Sequence, residues 1–106
     1  MELTSKQRAQ LRALAVNEET ILHVGKDGIG DNLIFQANDA LQARELVKGK
    51  VLESAPCTAR EAAEALAVPT RSEVVQVIGN KFVLFRYQHD KTKRKIELVK
   101  TRQKAE

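Results

Sequence analysis

The chain is 106 residues long, 42% hydrophobic and 30% charged, with a net charge of +4 and a pI near 9.4. That length accommodates one small domain, and no apolar run approaches the roughly 20 residues that a membrane-spanning helix needs. A single cysteine excludes an intramolecular disulfide framework, and the polar opening MELTSKQRAQLRAL is no secretory signal, so a reducing cytoplasm is the expected setting.

The elements follow in chain order. Thr4 and Gln7 have the T-x-x-Q spelling of a capping box, and Leu11, Leu14 and Ala15 recur at helical spacing, so residues 5–15 are expected to form a helix. Thr20–Val24 is a short β-favouring run ending at Gly25. The turn Gly25-Lys26-Asp27-Gly28-Ile29-Gly30 leads into a second helix over 31–43, whose Leu33, Ile34, Ala37 and Leu41 share a face. Asp31 suits the positive end of its dipole. Leu46–Leu52 alternates, with Lys48 and Lys50 on one side and Val47, Gly49 and Val51 on the other, as a strand with one basic and one buried face does.

Thr58 and Glu61 spell a second capping box. Ala62, Ala65 and Leu66 give a third helix its stripe to about Ala67, and Pro69 ends it or starts a further short turn. Val74–Ile78 and Phe82–Phe85 flank Gly79-Asn80 as a hairpin, and their near-continuous hydrophobicity indicates a central position in the sheet. Residues 95–99 could add a weak edge strand. The expectation is an α/β fold: a single compact domain over 1–99 with a mixed four-stranded sheet and three helices, in the order α-β-α-β-α-β-β, followed by a short basic tail over 100–106.

The positive charge is unevenly placed. Residues 1–85 hold ten basic and eleven acidic side chains, a net of −1. Residues 86–106 hold eight basic side chains (Arg86, Lys91, Lys93, Arg94, Lys95, Lys100, Arg102 and Lys104) and three acidic ones, a net of +5. Such an end either touches phosphates or is a solvated tail, and charge alone does not choose.

VGKDGIGDNLI at 24–34, ELVKGKV at 45–51 and VVQVIGNKFVLFR at 74–86, in that order, resemble the CRM domain in its single-domain bacterial YhbY-like form. The resemblance spans residues 3–99. It implies a fold similar to the C-terminal domain of bacterial initiation factor three. It also implies an RNA-binding protein associated with precursor large-subunit ribosomal RNA or the pre-ribosomal particle. The family's GxxG loop maps onto Gly25, Lys26, Asp27 and Gly28. Two departures stand out: Gly30 occupies the position where the family often has a Thr or Ser cap, and Pro69-Thr70-Arg71-Ser72 replaces a glycine-containing turn.

The residues also have physical reasons to meet RNA. Gly25 and Gly28 remove side-chain bulk and permit a positive φ, the turn delivers unpaired N–H groups at a helix N-terminus, and Lys26 adds a mobile charge. The bland alternative is an ordinary strand-to-helix connection, with Asp27 arguing against a tight anion nest. Lys48 and Lys50 would extend a positive track or simply keep one strand face in water. Arg86 would meet a phosphate, stack on a base or pair with an acid. Lys91, Lys93 and Arg94 continue the basic end. Lys6, Arg8 and Arg12 give the first helix a basic face.

Aromatic residues are few. Phe82 and Phe85 read as core, and Tyr87 is the best stacking candidate, so recognition by backbone and shape is favoured over a readout of many bases. Cys57, His23 and His89 lack zinc-type spacing, and GKDGIG is neither a Walker loop nor a dinucleotide fingerprint. No cofactor, metal, membrane or enzymatic activity is therefore expected. The leading expectation is a monomeric RNA-binding protein; the alternative is a small protein-interaction module docking on a ribosomal protein or other partner.

Overall fold

The computed structural model describes residues 3–88, 92 and 96–99. Seven elements follow one another as α1 (Ser5–Ala15), β1 (Thr20–Val24), α2 (Asp31–Arg44), β2 (Leu46–Val51), α3 (Ala59–Thr70), β3 (Glu73–Ile78) and β4 (Lys81–Phe85). The expected order of elements is the observed one. The sheet is mixed, in the order β1-β2-β4-β3; β1 and β2 run parallel, while β4 lies antiparallel to both β2 and β3.

Both capping boxes form as spelled. Thr4 Oγ1 accepts from Gln7 N at 3.2 Å and Gln7 Oε1 accepts from Thr4 N at 3.1 Å; the Thr58–Glu61 pair does the same at 3.1 and 2.9 Å. Each satisfies N–H groups that a helix start leaves orphaned.

Helices cover the sheet on both faces. On one, Ala37 and Leu41 of α2 and Ala62, Ala63 and Leu66 of α3 pack on Leu22, Val24, Val47, Phe82 and Leu84. Gly49 is required here, because a Cβ at this position would collide with the Phe82 ring. On the other face, Leu11 and Ala15 of α1 pack on Leu46, Val75, Val83 and Phe85. Lys48 and Lys50 share this second face, so the expected division of β2 into a basic and a buried side is observed.

Three expectations need correction. First, α3 does not stop near Ala67 but runs through Pro69 to Thr70. Thr70 Oγ1 donates to Leu66 O at 2.6 Å, and Arg71 takes a left-handed conformation with φ 56° that lets Ser72 N reach Ala67 O at 3.0 Å. The hydroxyl and this C-terminal turn occupy carbonyls of the last turn, as helix-ending motifs do. Second, only β4 of the hairpin is central; β3 is an edge strand. Its continuous hydrophobicity reflects two covered faces, Val74 and Val77 towards the α2–α3 layer and Val75 towards the α1 layer.

Third, residues 96–99 form no strand. They lie along α1, where Gln7 Nε2 donates to Val99 O at 3.2 Å, Gln10 Nε2 donates to Glu97 O at 2.8 Å, and Val99 N donates to Gln10 Oε1 at 2.7 Å. Glutamine side chains supply the partners that a neighbouring strand would have supplied, and Leu98 is buried beneath them. The expected tail over 100–106 lies outside the described residues.

Candidate nucleic-acid interface

Strand β1 delivers the GKDG turn at its C-terminal end. Gly28 N donates to Gly25 O at 3.0 Å, closing a tight turn with exposed Lys26 and Asp27 at its tip. Gly28 has φ +68°, and a Cβ there would also press on Pro56 Cγ at 3.2 Å. The turn therefore needs glycine for both backbone and space. Two residues later Gly30 caps α2 in extended conformation with no side-chain hydrogen bond. The first amides of this 14-residue helix thus lack the acceptor that Thr4 and Thr58 give the other two. They carry about half a positive charge from the helix dipole.

The same end of the sheet places two lysines and a histidine side by side on three strands. Lys50 of β2 stands opposite His23 of β1 and Lys81 of β4, forming a row across the face that α1 covers only in part. Among the described residues, Lys26, Lys50 and Lys81 have no ion pair. Lys48, one register position away, is committed differently: its Nζ donates to Ala15 O at 3.2 Å, capping the carbonyl end of α1.

Arg86 lies at the opposite end, a strand length of roughly 16 Å away along β4. Its Nη1 donates to Asn38 Oδ1 at 2.6 Å and to Thr70 O at 2.9 Å; its Nη2 donates to Asn38 O and Gln42 Oε1, both at 3.2 Å. Partial burial lowers its pKa from the ordinary arginine value. The guanidinium is a clamp between α2 and the end of α3. Arg8 is likewise engaged, donating from Nη1 to Val74 O at 2.6 Å. Tyr87 packs on Phe85, with ring centroids 5.8 Å apart, at the Arg86 end. Lys91, Lys93 and Arg94 lie outside the described residues.

Two residues that the sequence analysis passed over are functionally placed. Glu45 is fully buried with φ 68°. Its carboxylate accepts from Gln88 N at 2.9 Å and Ile96 N at 2.8 Å, and its carbonyl accepts from Arg86 N at 2.9 Å. It anchors the chain after β4 to the end of α2, and only the tertiary fold reveals that. Phe35 is 66% exposed in the first half of α2. Its signal was available: it falls on the side of the helix away from the Leu33–Ile34–Ala37–Leu41 stripe.

Among the described residues no group of three or more His, Cys, Asp or Glu could hold a metal ion, and no helix is long and apolar enough to cross a membrane. Cys57 is a half-buried thiol packed against the α2–α3 core.

Residues 3–86 match the model of the CRS1 / YhbY (CRM) domain. The chain is 45% identical over 96 residues to "Probable RNA-binding protein YqeI" of Bacillus subtilis, covering 91% of this chain and 98% of that protein. It is 38% identical over 87 residues to a protein of Methanocaldococcus jannaschii also named a probable RNA-binding protein, covering 80% and 64% of the two chains. Among solved structures it resembles the solution structure of a Staphylococcus aureus protein titled as a candidate RNA-binding protein. That match has a TM-score of 0.75 and 44% identity, over 92% of this chain and all of the other.

Proposed function

The chain belongs to the CRS1 / YhbY (CRM) domain family, and from that premise we propose that it is a non-catalytic, monomeric, cytoplasmic RNA-binding protein acting in large-ribosomal-subunit assembly. RNA binding has the broader support, since the named relatives are called RNA-binding proteins. The assembly role rests on the family resemblance alone.

The observation that carries the site is the N-terminus of α2, left without a side-chain cap behind the GKDG turn, while α1 and α3 both have full capping boxes. In this reading the amides from Ile29 into the first turn of α2 donate to a backbone phosphate, the Gly28 amide being held by Gly25 O within the turn, and the glycines let the chain approach it closely. Lys26 neutralises the same phosphate from the turn tip, and Asp27 points to solvent. Lys50, with His23 and Lys81 beside it, meets the next phosphates along the sheet end. Phe35 offers a ring face to an unstacked base.

Lys48 and Arg86 are removed from the phosphate footprint, because each is already engaged by protein carbonyls. Lys91, Lys93 and Arg94 remain in it on charge alone. The three phosphates met by Lys26, Lys50 and Lys81 contribute roughly −2 to −3 to the log–log salt slope.

The test is RNA crosslinking in cells with the crosslinked peptides mapped. Crosslinks from residues 25–30 to large-subunit precursor RNA support both site and role. Crosslinks from the same residues to other RNAs keep the site and remove the assembly role. Recovery of a protein partner after nuclease treatment, without RNA crosslinks, replaces the reading with the protein-interaction module.

A further inference from the structure

Helix α1 leaves part of its sheet face open. Beside its C-terminal end lies an open groove of about 460 Å³, lined by Arg12, Ala15 and Val16 of α1 and its exit, and by Lys48, Gln76, Ile78, Lys81 and Val83 of the sheet, among others. That volume falls in the range of about 300–1,000 Å³ typical of small-ligand sites.

Several of its groups lack a protein partner. Val16 is 75% exposed and Ile78 61% exposed, so two large apolar side chains are left in water at the groove. Arg12 and Lys81 form no ion pair, and the Gln76 side-chain amide makes no hydrogen bond, among the described residues. No carboxylate lines the groove. The carbonyl end of α1 would bring negative partial charge here, but Lys48 Nζ already occupies Ala15 O.

Resting on the RNA-binding reading above, we propose that this groove is a second RNA subsite that takes one unstacked nucleotide. Its base packs between Val16 and Ile78 and meets the Gln76 amide, and its phosphates lie on Arg12 and Lys81. Charge complementarity selects an anion with a flat, largely apolar body. The subsite is also continuous with the loop. The paired row His23–Lys50–Lys81–Ile78 leads from the strand that carries GKDG to the groove, with β1 and β4 about 10 Å apart at two strand spacings. One strand of RNA crossing the sheet end thus meets both.

The probes are a single-stranded oligoribonucleotide of about 12 nucleotides, inside the span that single-strand binders cover, and a fully paired RNA duplex. Binding of both to the full chain is measured by fluorescence anisotropy across a salt series. The variant pair Val16→Ser and Ile78→Ser is chosen because both side chains are exposed. It should weaken single-strand binding about tenfold through lost apolar contact, with the duplex affinity and the salt slope unchanged. Single-strand affinity within twofold of the wild type overturns the groove while leaving the loop reading intact. No binding of either RNA by the wild type overturns the loop reading itself. Amide shifts at Val16 and Ile78 on titration with a poly-glutamate peptide, but not with RNA, would assign the groove to an acidic protein segment and likewise overturn the proposal.

Discussion

Arg86 and Lys26 stand at opposite ends of one four-stranded sheet, and their surroundings differ in kind. At the Arg86 end the polar groups answer one another: the guanidinium donates to Asn38, Gln42 and Thr70, while Glu45 receives Gln88 and Ile96. At the Lys26 end, Lys26, Lys50 and Lys81 have no ion pair among the described residues, and the first amides of α2 have no side-chain cap. Both ends look basic in the sequence. A positive charge near a ligand-sized surface points to function only when the fold has not already given it a partner.

The saturated end should give the largest effect on stability. Glu45→Ala leaves two backbone amides without their acceptor, so urea unfolding should show a loss of about 2–3 kcal/mol. RNA affinity, measured where the variant is folded, should stay within twofold of the wild type. A loss below about 1 kcal/mol would mean that water replaces the carboxylate and that this end is not saturated.

Arg86→Ala should cost about 1–2 kcal/mol, less because its bonds to α2 are partly in solvent. It too should leave RNA binding unchanged. Tenfold weaker RNA binding at undiminished stability would restore the arginine to the interface.

From the other end, the double variant Lys26→Ala with Lys50→Ala should lower RNA affinity about tenfold near 100 mM salt and reduce the magnitude of the salt slope by about 1.5. Its unfolding curve should superimpose on that of the wild type, because neither amine has an ion-pair partner among the described residues. Phe35→Ala should weaken single-stranded RNA about fivefold and spare duplex; an equal effect on both would make Phe35 a folding residue.

A small gain in stability is the most diagnostic. Gly30→Asp adds a cap to α2 at a position where nothing lies within 4 Å of the new Cβ, gaining a few tenths of a kcal/mol. The new carboxylate would occupy the amides assigned to phosphate and repel it, so RNA binding should fall severalfold. A more stable protein that binds RNA equally well would remove the helix terminus from the site.

How much was legible in the sequence follows the range of each interaction. The Thr4–Gln7 and Thr58–Glu61 caps, the alternation of Lys48 and Lys50 with Val47 and Val51, and the GKDG turn are set within a few residues, and all could be read directly. Pro69 misled because the Thr70 hydroxyl and the left-handed Arg71 support a last turn that proline alone would end. Residues 96–99 misled because the partners of Glu97 and Val99, Gln7 and Gln10, lie some 90 residues away. Nothing in the sequence signalled the bonds from Arg86 to Asn38 and Gln42, which reach it only after α2 packs on the sheet. Charge and alternation identify which side chains are polar, whereas their partners are decided by tertiary contacts.

The account stands most directly on where RNA touches the protein. Amide chemical shifts of the labelled full chain should be followed during titration with a single-stranded oligoribonucleotide of about 12 nucleotides. The account predicts the largest changes at Gly28, Ile29, Gly30 and the first turn of α2, with smaller ones at Lys50 and Lys81, and silence at Asn38, Gln42 and Arg86. Changes centred on Arg86 and the end of α2, with the GKDG turn unmoved, would contradict it.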